Sequence, residues 1–321
     1  MKKKILVTYR LPQEGFAKIL ETNEFELILP RGTDSFSKEE ITDRIKDVDF
    51  LLSIFNFKVD AEIIDSGKCL KMISNYGVGF NNIDIEYAKS KGITVTNTPD
   101  PVIEPTAELA FSLMGDLARR ISECDRKIRV TDGLRWGVLE NLGIGLYGKT
   151  LGIIGMGRIG QALARRAVAS GMKVLYNNRH RLDPETEFTL RSQYVSFSNL
   201  LSEADFISIN TPLNETTYHL IGKDAFKHMK ESVFLINTAR GAIINEKELA
   251  DALFEKQIAG AALDVYEYEP RITESLLSLD NVILVPHIGT ATISVRNAMT
   301  EYACENIILF SNGEEPRSRV V

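Results

Sequence analysis

Residues 151–167 read LGIIGMGRIGQALARRA, and this stretch decides the fold class. The apolar run Leu151 to Ile154 predicts a buried strand that leads directly into the glycines of a GxGxxG motif. Good helix formers follow, which predicts that a helix begins within the motif. A strand, a glycine turn and a helix in this order are typical of a βαβ unit that binds a dinucleotide.

Each glycine of the motif has its own task. Gly155 permits the tight turn, Gly157 lets the backbone approach a pyrophosphate, and Gly160 lets the helix pack closely on the strand. The first helical residues, Arg158 and Ile159, present their backbone amides and the positive end of the helix dipole to phosphates. The sequence therefore predicts a dinucleotide site at residues 155–160.

Strands and helices alternate on both sides of this motif. Apolar, β-branched runs predict strands at Ile5–Thr8, Phe25–Leu29, Phe50–Ile54, Met72–Ser74, Ile93–Thr96, Thr150–Ile154, Lys173–Tyr176, Phe206–Asn210, Val233–Asn237, Gly260–Asp264 and Val282–Val285. A helical pattern lies between two of the strands, at Ser37–Lys46, and Ser37 with Glu40 predicts a capping box at its start. This alternation predicts α/β architecture, with parallel sheets covered by helices on both faces.

A break in the alternation at residues 97–101 contains Pro99 and Pro101, and we place a domain boundary there. A long helical stretch is predicted after it, at about Ile103 to Val130, and the last apolar helix is predicted at about Ser294 to Phe310. The chain of 321 residues is long enough for two cores, with 44% hydrophobic and 26% charged residues.

The composition also argues against several classes of protein. The net charge of −6 argues against nucleic acid as the main partner, because phosphate binding needs a basic face. No apolar run approaches the length that spans a bilayer, and no signal peptide is recognisable. Cys69, Cys124 and Cys304 form no CxxC pair, so neither a metal site nor a disulfide framework is supported. We expect buried, reduced thiols in a cytoplasmic protein.

The end of the second strand of the βαβ unit bears on the choice between NAD and NADP. An NAD site usually places a carboxylate there, on the ribose 2′-hydroxyl. This chain has Asn177 and Asn178, followed by Arg179 and Arg181, and no carboxylate. An arginine can hold a 2′-phosphate as a charge-assisted pair, so we expect NADP(H), with Arg179 as the better candidate. The alternative is that the arginines point to solvent and Asn177 holds the hydroxyl of NAD(H).

Three further side chains follow predicted strands, at the edge where open α/β sheets bind ligands. Arg240 can bind a carboxylate through a bidentate fork and polarise an adjacent oxo group. His287 can donate a proton to a carbonyl oxygen as hydride arrives, or accept it in reverse. Glu269 can orient the imidazole and favour its protonated form. The three together indicate a dehydrogenase for 2-oxo acids.

At this point the chain resembles the D-isomer-specific 2-hydroxyacid dehydrogenases across essentially its whole length. The motifs that carry the resemblance are residues 75–84 (NYGVGFNNID), 106–108 (TAE), 211–212 (TP) and 237–241 (NTARG). The resemblance assigns the catalytic roles to Arg240, Glu269 and His287. It also implies that the amides of Val78 and Gly79 bind the substrate carboxylate, and we expect Phe55 to shape the substrate pocket. Further cofactor contacts are expected from Thr106, Thr211, Pro212, Thr238, Ala239, Asp264 and Gly289.

Within this family the chain looks closest to the glyoxylate/hydroxypyruvate and 2-ketogluconate reductases, since phosphoglycerate and D-lactate dehydrogenases usually carry Asp at the position of Asn177. One departure is Asn210, where many members have His. The alternatives kept open are a D-3-phosphoglycerate dehydrogenase-like enzyme and a nucleotide-sensing, corepressor-like binding protein.

The resemblance also implies a domain arrangement and an assembly. We expect a Rossmann cofactor domain at residues 100–289 and a flavodoxin-like substrate domain made of residues 1–99 and 290–321. A homodimer built on the cofactor domains, through the long helix and the loop around Trp136, is implied as well.

Overall fold

In the computed structural model, which describes residues 2–54, 57–130 and 136–321, the chain forms two compact units. The first unit takes the chain up to Val102 and adds Thr290–Val321, while the second is Ile103–Gly289. The chain passes from the first unit to the second just after the proline pair, and it returns at Thr290.

The first unit contains a five-stranded parallel sheet. Its strands are β1 (Lys3–Val7), β2 (Phe25–Ile28), β3 (Phe50–Ile54), β4 (Met72–Tyr76) and β5 (Thr94–Thr96). The order β2-β1-β3-β4-β5 is that of flavodoxin-like folds. The helices of this unit are α1 (Ala17–Glu21), α2 (Lys38–Arg44), α3 (Ala61–Ser66), α4 (Ile85–Ser90) and α13 (Ile293–Ser311), with 3₁₀ turns at Gln13–Phe16 and Ile45–Asp47.

The second unit contains a seven-stranded parallel sheet of order β12-β11-β10-β9-β6-β7-β8. Its strands are β6 (Thr150–Ile154), β7 (Lys173–Asn177), β8 (Ser192–Tyr194), β9 (Phe206–Ile209), β10 (Phe234–Asn237), β11 (Gly260–Leu263) and β12 (Val282–Leu284). Counted from β6, this is the Rossmann order with one further strand. The helices are α5 (Ile103–Arg119), α6 (Ile121–Val130), α7 (Arg158–Ala169), α8 (Pro184–Thr189), α9 (Phe197–Glu203), α10 (Lys223–His228), α11 (Glu246–Phe254) and α12 (Glu274–Leu277), with a 3₁₀ turn at Gly241–Ile243.

Both faces of each sheet are covered, which explains why the strands are almost continuously apolar. In β6, Ile153 belongs to the core beneath α5 and α7, while the next residue, Ile154, belongs to the core on the opposite face. The predicted fold class, two doubly wound parallel-sheet domains, is confirmed.

The C-terminal helix α13 completes the first unit. Ser74 donates a hydrogen bond to the carbonyl of Ala303 at 3.0 Å, and the Tyr76 hydroxyl donates to the carbonyl of Arg296 at 2.8 Å. The capping box predicted at Ser37 and Glu40 is present at the start of α2. A helix cap formed by residues of a single turn can therefore be predicted from the sequence.

The long helical stretch predicted at about Ile103 to Val130 is present, but it divides into α5 and α6 at Arg120. Arg120 adopts a left-handed backbone with φ of 56°, and its guanidinium pairs with Glu123. The Asp116 carboxylate accepts the Ser122 amide at 2.7 Å and so caps α6. The carbonyl of Ala118 accepts the amide of Ile144, a residue more than twenty positions away, so tertiary contacts end the first helix.

Two further expectations differ from the structure. The short strand β8 was not predicted, since Ser192–Tyr194 carries little apolar pattern. The thiol of Cys304 is buried, but Cys69 is exposed and Cys124 is half-buried. Among the residues that the structure describes, no helix has both the length and the apolar character to cross a membrane.

Candidate active site

The register of the seven-stranded sheet aligns the carboxyl ends of five strands. Ile154 pairs with Ile209, Ile209 with Asn237, Asn237 with Leu263, and Leu263 with Leu284. The next residue of each strand leaves the sheet at this common edge. In spatial order these residues are Gly155, Asn210, Thr238, Asp264 and Val285. Segments far apart in sequence are therefore side by side where a ligand of an open α/β sheet binds.

The glycine turn after β6 is packed against its neighbours. Gly155 has φ of 96°, and a Cβ atom there would lie 2.7 Å from the backbone of Asn210 and Thr211. A Cβ atom on Gly160 would lie 2.4 Å from the carbonyl oxygen of Gly155. Both positions require glycine, for the turn and for the close packing of helix on strand that the sequence predicted.

Gly157 differs from these two glycines, because its Cβ position has no atom of the described chain within 4 Å. It immediately precedes α7, whose first amides begin at Arg158. On the adjacent strand ends, the side-chain oxygens Oδ1 of Asn210 and Oγ1 of Thr238 are buried without a hydrogen-bond partner among the residues described. Open space beside a helix N-terminus, together with unpartnered buried oxygens, fits a dinucleotide.

The two asparagines at the end of β7 are engaged within the protein. Asn178 Oδ1 accepts the Met156 amide at 2.6 Å, so it holds the glycine turn in place. Asn177 Nδ2 donates to the carbonyl of Val195 at 2.9 Å. The structure therefore gives Asn178 a role in shaping the turn, which the sequence did not predict. A contact of either residue with a ribose remains a prediction.

The sequence predicts that both Arg179 and Arg181 can bind a 2′-phosphate. This prediction is wrong for Arg181. Its guanidinium forms a bidentate pair with Glu187, at 2.9 and 2.7 Å. Glu187 also accepts the Tyr176 hydroxyl, and the hydrogen bonds from Arg181 and Tyr176 lower its pKa to about 2. This carboxylate is ten residues beyond β7, which is why a search at the strand end missed it. Arg179 is exposed and forms no ion pair within the described ranges.

Arg240 extends from the turn that follows β10. The buried side chain of Asn237 shapes this turn, because its Oδ1 accepts the Ala239 amide and its Nδ2 donates to the Arg240 carbonyl. Burial lowers the pKa of the Arg240 guanidinium, while the charge of the nearby Glu269 carboxylate opposes this change. Arginine stays protonated in proteins, so the turn presents a permanent cation close to Glu269.

Glu269 and His287 form the pair that the sequence predicted. His287 Nδ1 lies 3.2 Å from Glu269 Oε2, and the other carboxylate oxygen accepts the Tyr266 amide at 3.0 Å. Burial opposes ionisation of Glu269, but the hydrogen bond and charge of His287 and the Tyr266 amide together keep its pKa below the ordinary value. An ionised Glu269 therefore faces the imidazole.

The backbone at His287 is left-handed, with φ of 55°, which is uncommon outside glycine. Asp264 holds the two residues that follow His287. Its Oδ1 accepts the Ile288 amide at 2.6 Å, and its Oδ2 accepts the Gly289 amide at 2.8 Å. Burial raises the pKa of Asp264 to about 6, against the effect of these amides. Asp264 thus positions the His287 loop, and the nicotinamide contact implied by the resemblance stays a prediction.

Tyr266 was not singled out from the sequence, although it connects the three catalytic candidates. Its amide binds Glu269, and its hydroxyl donates to the Val285 carbonyl at 2.9 Å, two residues before His287. A Cβ atom on Gly241, next to Arg240, would lie 1.8 Å from the carbonyl carbon of Tyr266. In the sequence, the signal for this close contact is Gly241, the glycine of the NTARG motif.

The remaining predicted cofactor contacts fall into two groups. Thr106 of α5 is buried near Asp264, since a Cβ atom on Gly289 would lie 3.1 Å from Asp264 Oδ2 and 3.6 Å from Thr106 Oγ1. The others line the same sheet edge after β9 and β10; they are Thr211, Pro212, Thr238 and Ala239. Their contacts with a cofactor remain predictions.

The predicted substrate loop of the first unit follows β4. Asn75 Nδ2 donates to the carbonyls of Gly77 and Gly79, at 3.1 and 2.9 Å, and Asn97 Nδ2 donates to the carbonyl of Val78 at 2.8 Å. The amides of Val78 and Gly79 donate to no acceptor among the residues described. The loop therefore uses its carbonyls internally, and the binding of an anion by the two adjacent amides remains a prediction. Phe55, also predicted to contact substrate, lies outside the described residues.

Comparison with known proteins agrees with this arrangement. Residues 111–289 match the family model of the D-isomer specific 2-hydroxyacid dehydrogenase NAD binding domain. The chain is 43% identical to a glyoxylate reductase of Thermococcus onnurineus, over all of this chain and 96% of that protein. It is 45% identical to a glyoxylate reductase of Thermococcus litoralis, over all of this chain and 97% of that protein.

A solved structure shows the same fold. The NADPH-dependent glyoxylate/hydroxypyruvate reductase of Sinorhizobium meliloti, in complex with NADP and malonate, superposes with a TM-score of 0.89 and 29% identity, covering all of this chain and 97% of that one. The chain belongs to the D-isomer specific 2-hydroxyacid dehydrogenases, which are oxidoreductases acting on a CH–OH group.

Proposed function

We propose that this protein reduces glyoxylate and hydroxypyruvate to the corresponding 2-hydroxy acids and that it prefers NADPH to NADH. The observation that carries the reaction is the pairing of Glu269 with His287 beside the half-buried Arg240, at the edge of the sheet that also carries the glycine turn. The glyoxylate reductases among the relatives support the choice of substrate.

The glycine turn and the start of α7 would hold a nicotinamide dinucleotide, which would supply hydride for the carbonyl carbon. Arg240 binds the substrate carboxylate and polarises the oxo group, because its planar fork matches a carboxylate. Glu269 accepts from Nδ1 of His287, which leaves Nε2 to deliver a proton to the carbonyl oxygen. Glu269 keeps the imidazole oriented during the transfer, and in the reverse direction His287 takes the proton back.

The substrate loop of the first unit supplies further donors. The amides of Val78 and Gly79 would bind the substrate carboxylate, since their neighbouring carbonyls are held by Asn75 and Asn97. Backbone amides discriminate for an anion without favouring one side chain of the substrate. This loop therefore suits small 2-oxo acids in general.

The cofactor preference depends on Arg179. Because Glu187 neutralises Arg181, Arg179 is the arginine of this loop that we assign to a 2′-phosphate. The contact is charge-assisted, so its loss weakens NADPH at least about tenfold. NADH lacks the phosphate and loses little.

The experiment measures steady-state oxidation of NADPH and NADH with glyoxylate, hydroxypyruvate, 2-ketogluconate and 3-phosphohydroxypyruvate. We expect the first two acids and NADPH to give the highest kcat/KM. Arg179→Ala lowers kcat/KM for NADPH selectively, whereas the matched variant Arg181→Ala affects both cofactors equally. Preference for NADH in the unaltered protein would refute the cofactor assignment. Turnover with none of the acids would favour the corepressor-like alternative.

We also propose that two copies associate through α6 and the segment beyond it. Val130, Trp136, Val138 and Leu139 are 83–92% exposed, and no residue of α6 is buried. Large apolar side chains left exposed in one stretch of the chain are typical of an interface. Light scattering is expected to give a dimer that Trp136→Ser with Val138→Asp dissociates. Phe188→Ser, which removes an apolar side chain 85% exposed elsewhere, is the matched control and leaves the dimer intact. A monomer at micromolar concentration in the unaltered protein would refute the association.

A further inference from the structure

A second carboxylate near the active site has no part in the reaction as described above. Glu246, the first residue of α11, is 2% exposed. Its Oε2 accepts the Glu267 amide at 2.7 Å, and its Oε1 accepts the Thr273 amide at 2.8 Å. Burying a carboxylate is unfavourable unless hydrogen bonds compensate, and here both oxygens have a backbone donor.

These two donors lie on either side of Glu269 in the chain. Glu246 therefore fixes both ends of residues 267–273, the segment that presents Glu269 to His287. The clamp is reciprocal, since the Glu267 carboxylate accepts the Glu246 amide at 3.2 Å and pairs with His219 Nε2 at 2.8 Å. Within the segment, the Arg271 amide donates to the carbonyl of Tyr268 at 2.9 Å. The Glu246 side chain thus holds both ends of this loop against the start of α11, and the Glu267 carboxylate adds a second contact at one end.

We propose that Glu246 is a positioning residue that keeps the Glu269 carboxylate within hydrogen-bonding distance of His287. This inference rests on the proposed function, because it requires Glu269 to act on His287 during turnover. Glu246 touches neither substrate nor cofactor in this scheme. Its effect reaches the reaction through Glu269 alone, and a displacement of a catalytic group by about 1 Å can reduce turnover about 100-fold.

The test compares Glu246→Gln, Glu269→Gln and the double variant by kcat with glyoxylate and NADPH. Glutamine keeps the size of Glu246 but presents an NH₂ group to one of the two backbone donors. We expect Glu246→Gln to lower kcat about 10–100-fold while the cofactor dissociation constant, measured by NADPH fluorescence, stays within twofold. The double variant should have the kcat of Glu269→Gln within about twofold, because one residue acts through the other.

The matched control is Glu248→Gln on the same helix. The Glu248 carboxylate also accepts a backbone amide, that of Lys223, which lies away from the Glu269 segment. This variant should retain the kcat of the unaltered protein. Equal losses in both glutamine variants would show a general effect of disturbing α11 and would overturn the proposal.

If Glu246→Gln does not fold, Thr273→Pro cuts one side of the clamp. Thr273 has φ of −58°, which proline adopts, so the substitution removes the amide hydrogen without straining that angle. We expect the same pattern of lowered kcat and lost additivity with Glu269→Gln. If the fall in kcat of each double variant equals the product of the falls in its two single variants, the positioning role is overturned. A kcat unchanged in Glu269→Gln alone would instead refute the proposed function and, with it, this inference.

Discussion

The pKa of Asp264 predicts an unusual dependence of stability on pH. Burial raises this pKa from an ordinary 3.8 to about 6, so the folded protein binds the proton more tightly than the unfolded chain between these pH values. The free energy of unfolding contributed by Asp264 therefore increases as the pH falls from 7 to 4. About two pKa units correspond to about 3 kcal/mol, and about half of this is reached by pH 5.

Asp264→Asn isolates this contribution. Asparagine does not titrate. Its NH₂ group faces one of the two backbone amides that donate hydrogen bonds to Asp264, and the lost hydrogen bond destabilises the variant by the same amount at every pH. We expect the difference in melting temperature, that of the unaltered protein minus that of the variant, to rise by about 2–4 °C between pH 7 and pH 5.

The assay is thermal unfolding without ligands, followed by circular dichroism at half-unit steps of pH. Groups distant from Asp264 titrate equally in both proteins, so the difference reports Asp264 together with its charge interactions with His287 and Glu269. Asp251→Asn, at an exposed position of α11, should give a difference that does not change with pH. A flat difference for Asp264→Asn, or one that falls towards acid, would show that the Ile288 and Gly289 amides outweigh burial.

Three other substitutions test the site. His287→Ala should lower kcat about 10²–10⁴-fold and leave the NADPH dissociation constant unchanged, because only proton transfer is lost; near-normal turnover would exclude His287 as the acid. Arg240→Lys keeps the charge but loses the planar fork, so kcat/KM should fall more for glyoxylate than for a neutral aldehyde, and equal losses would remove Arg240 from the carboxylate. Gly155→Ala places a methyl group 2.7 Å from backbone and should abolish NADPH binding, measured by fluorescence, whereas Gly32→Ala, with positive φ but open space, should not; retained binding would contradict the assigned role of the turn.

Much of this site could be predicted because its signals are local. The glycines at 155 and 160 reflect a positive φ and a close contact within a single strand–turn–helix unit. Parallel strands share a carboxyl edge, so residues after β10, β11 and β12 had to converge once the strands were recognised. The same reasoning brought Glu269 and His287 together across 18 residues of chain.

What the sequence alone determined was the fold class and the family, and it named the candidates for the reactive groups, because these follow from periodicity, glycine positions, motifs and strand ends. The tertiary structure decided which polar groups are already occupied: Arg181 by Glu187, Asn178 by the glycine turn, and Asp264 by the amides after His287. It also decided the end of α5, where the Ala118 carbonyl accepts a distant amide. The partner of a hydrogen bond depends on distance in space, and burial sets the free energy that the bond contributes. Neither can be obtained from spacing along the chain.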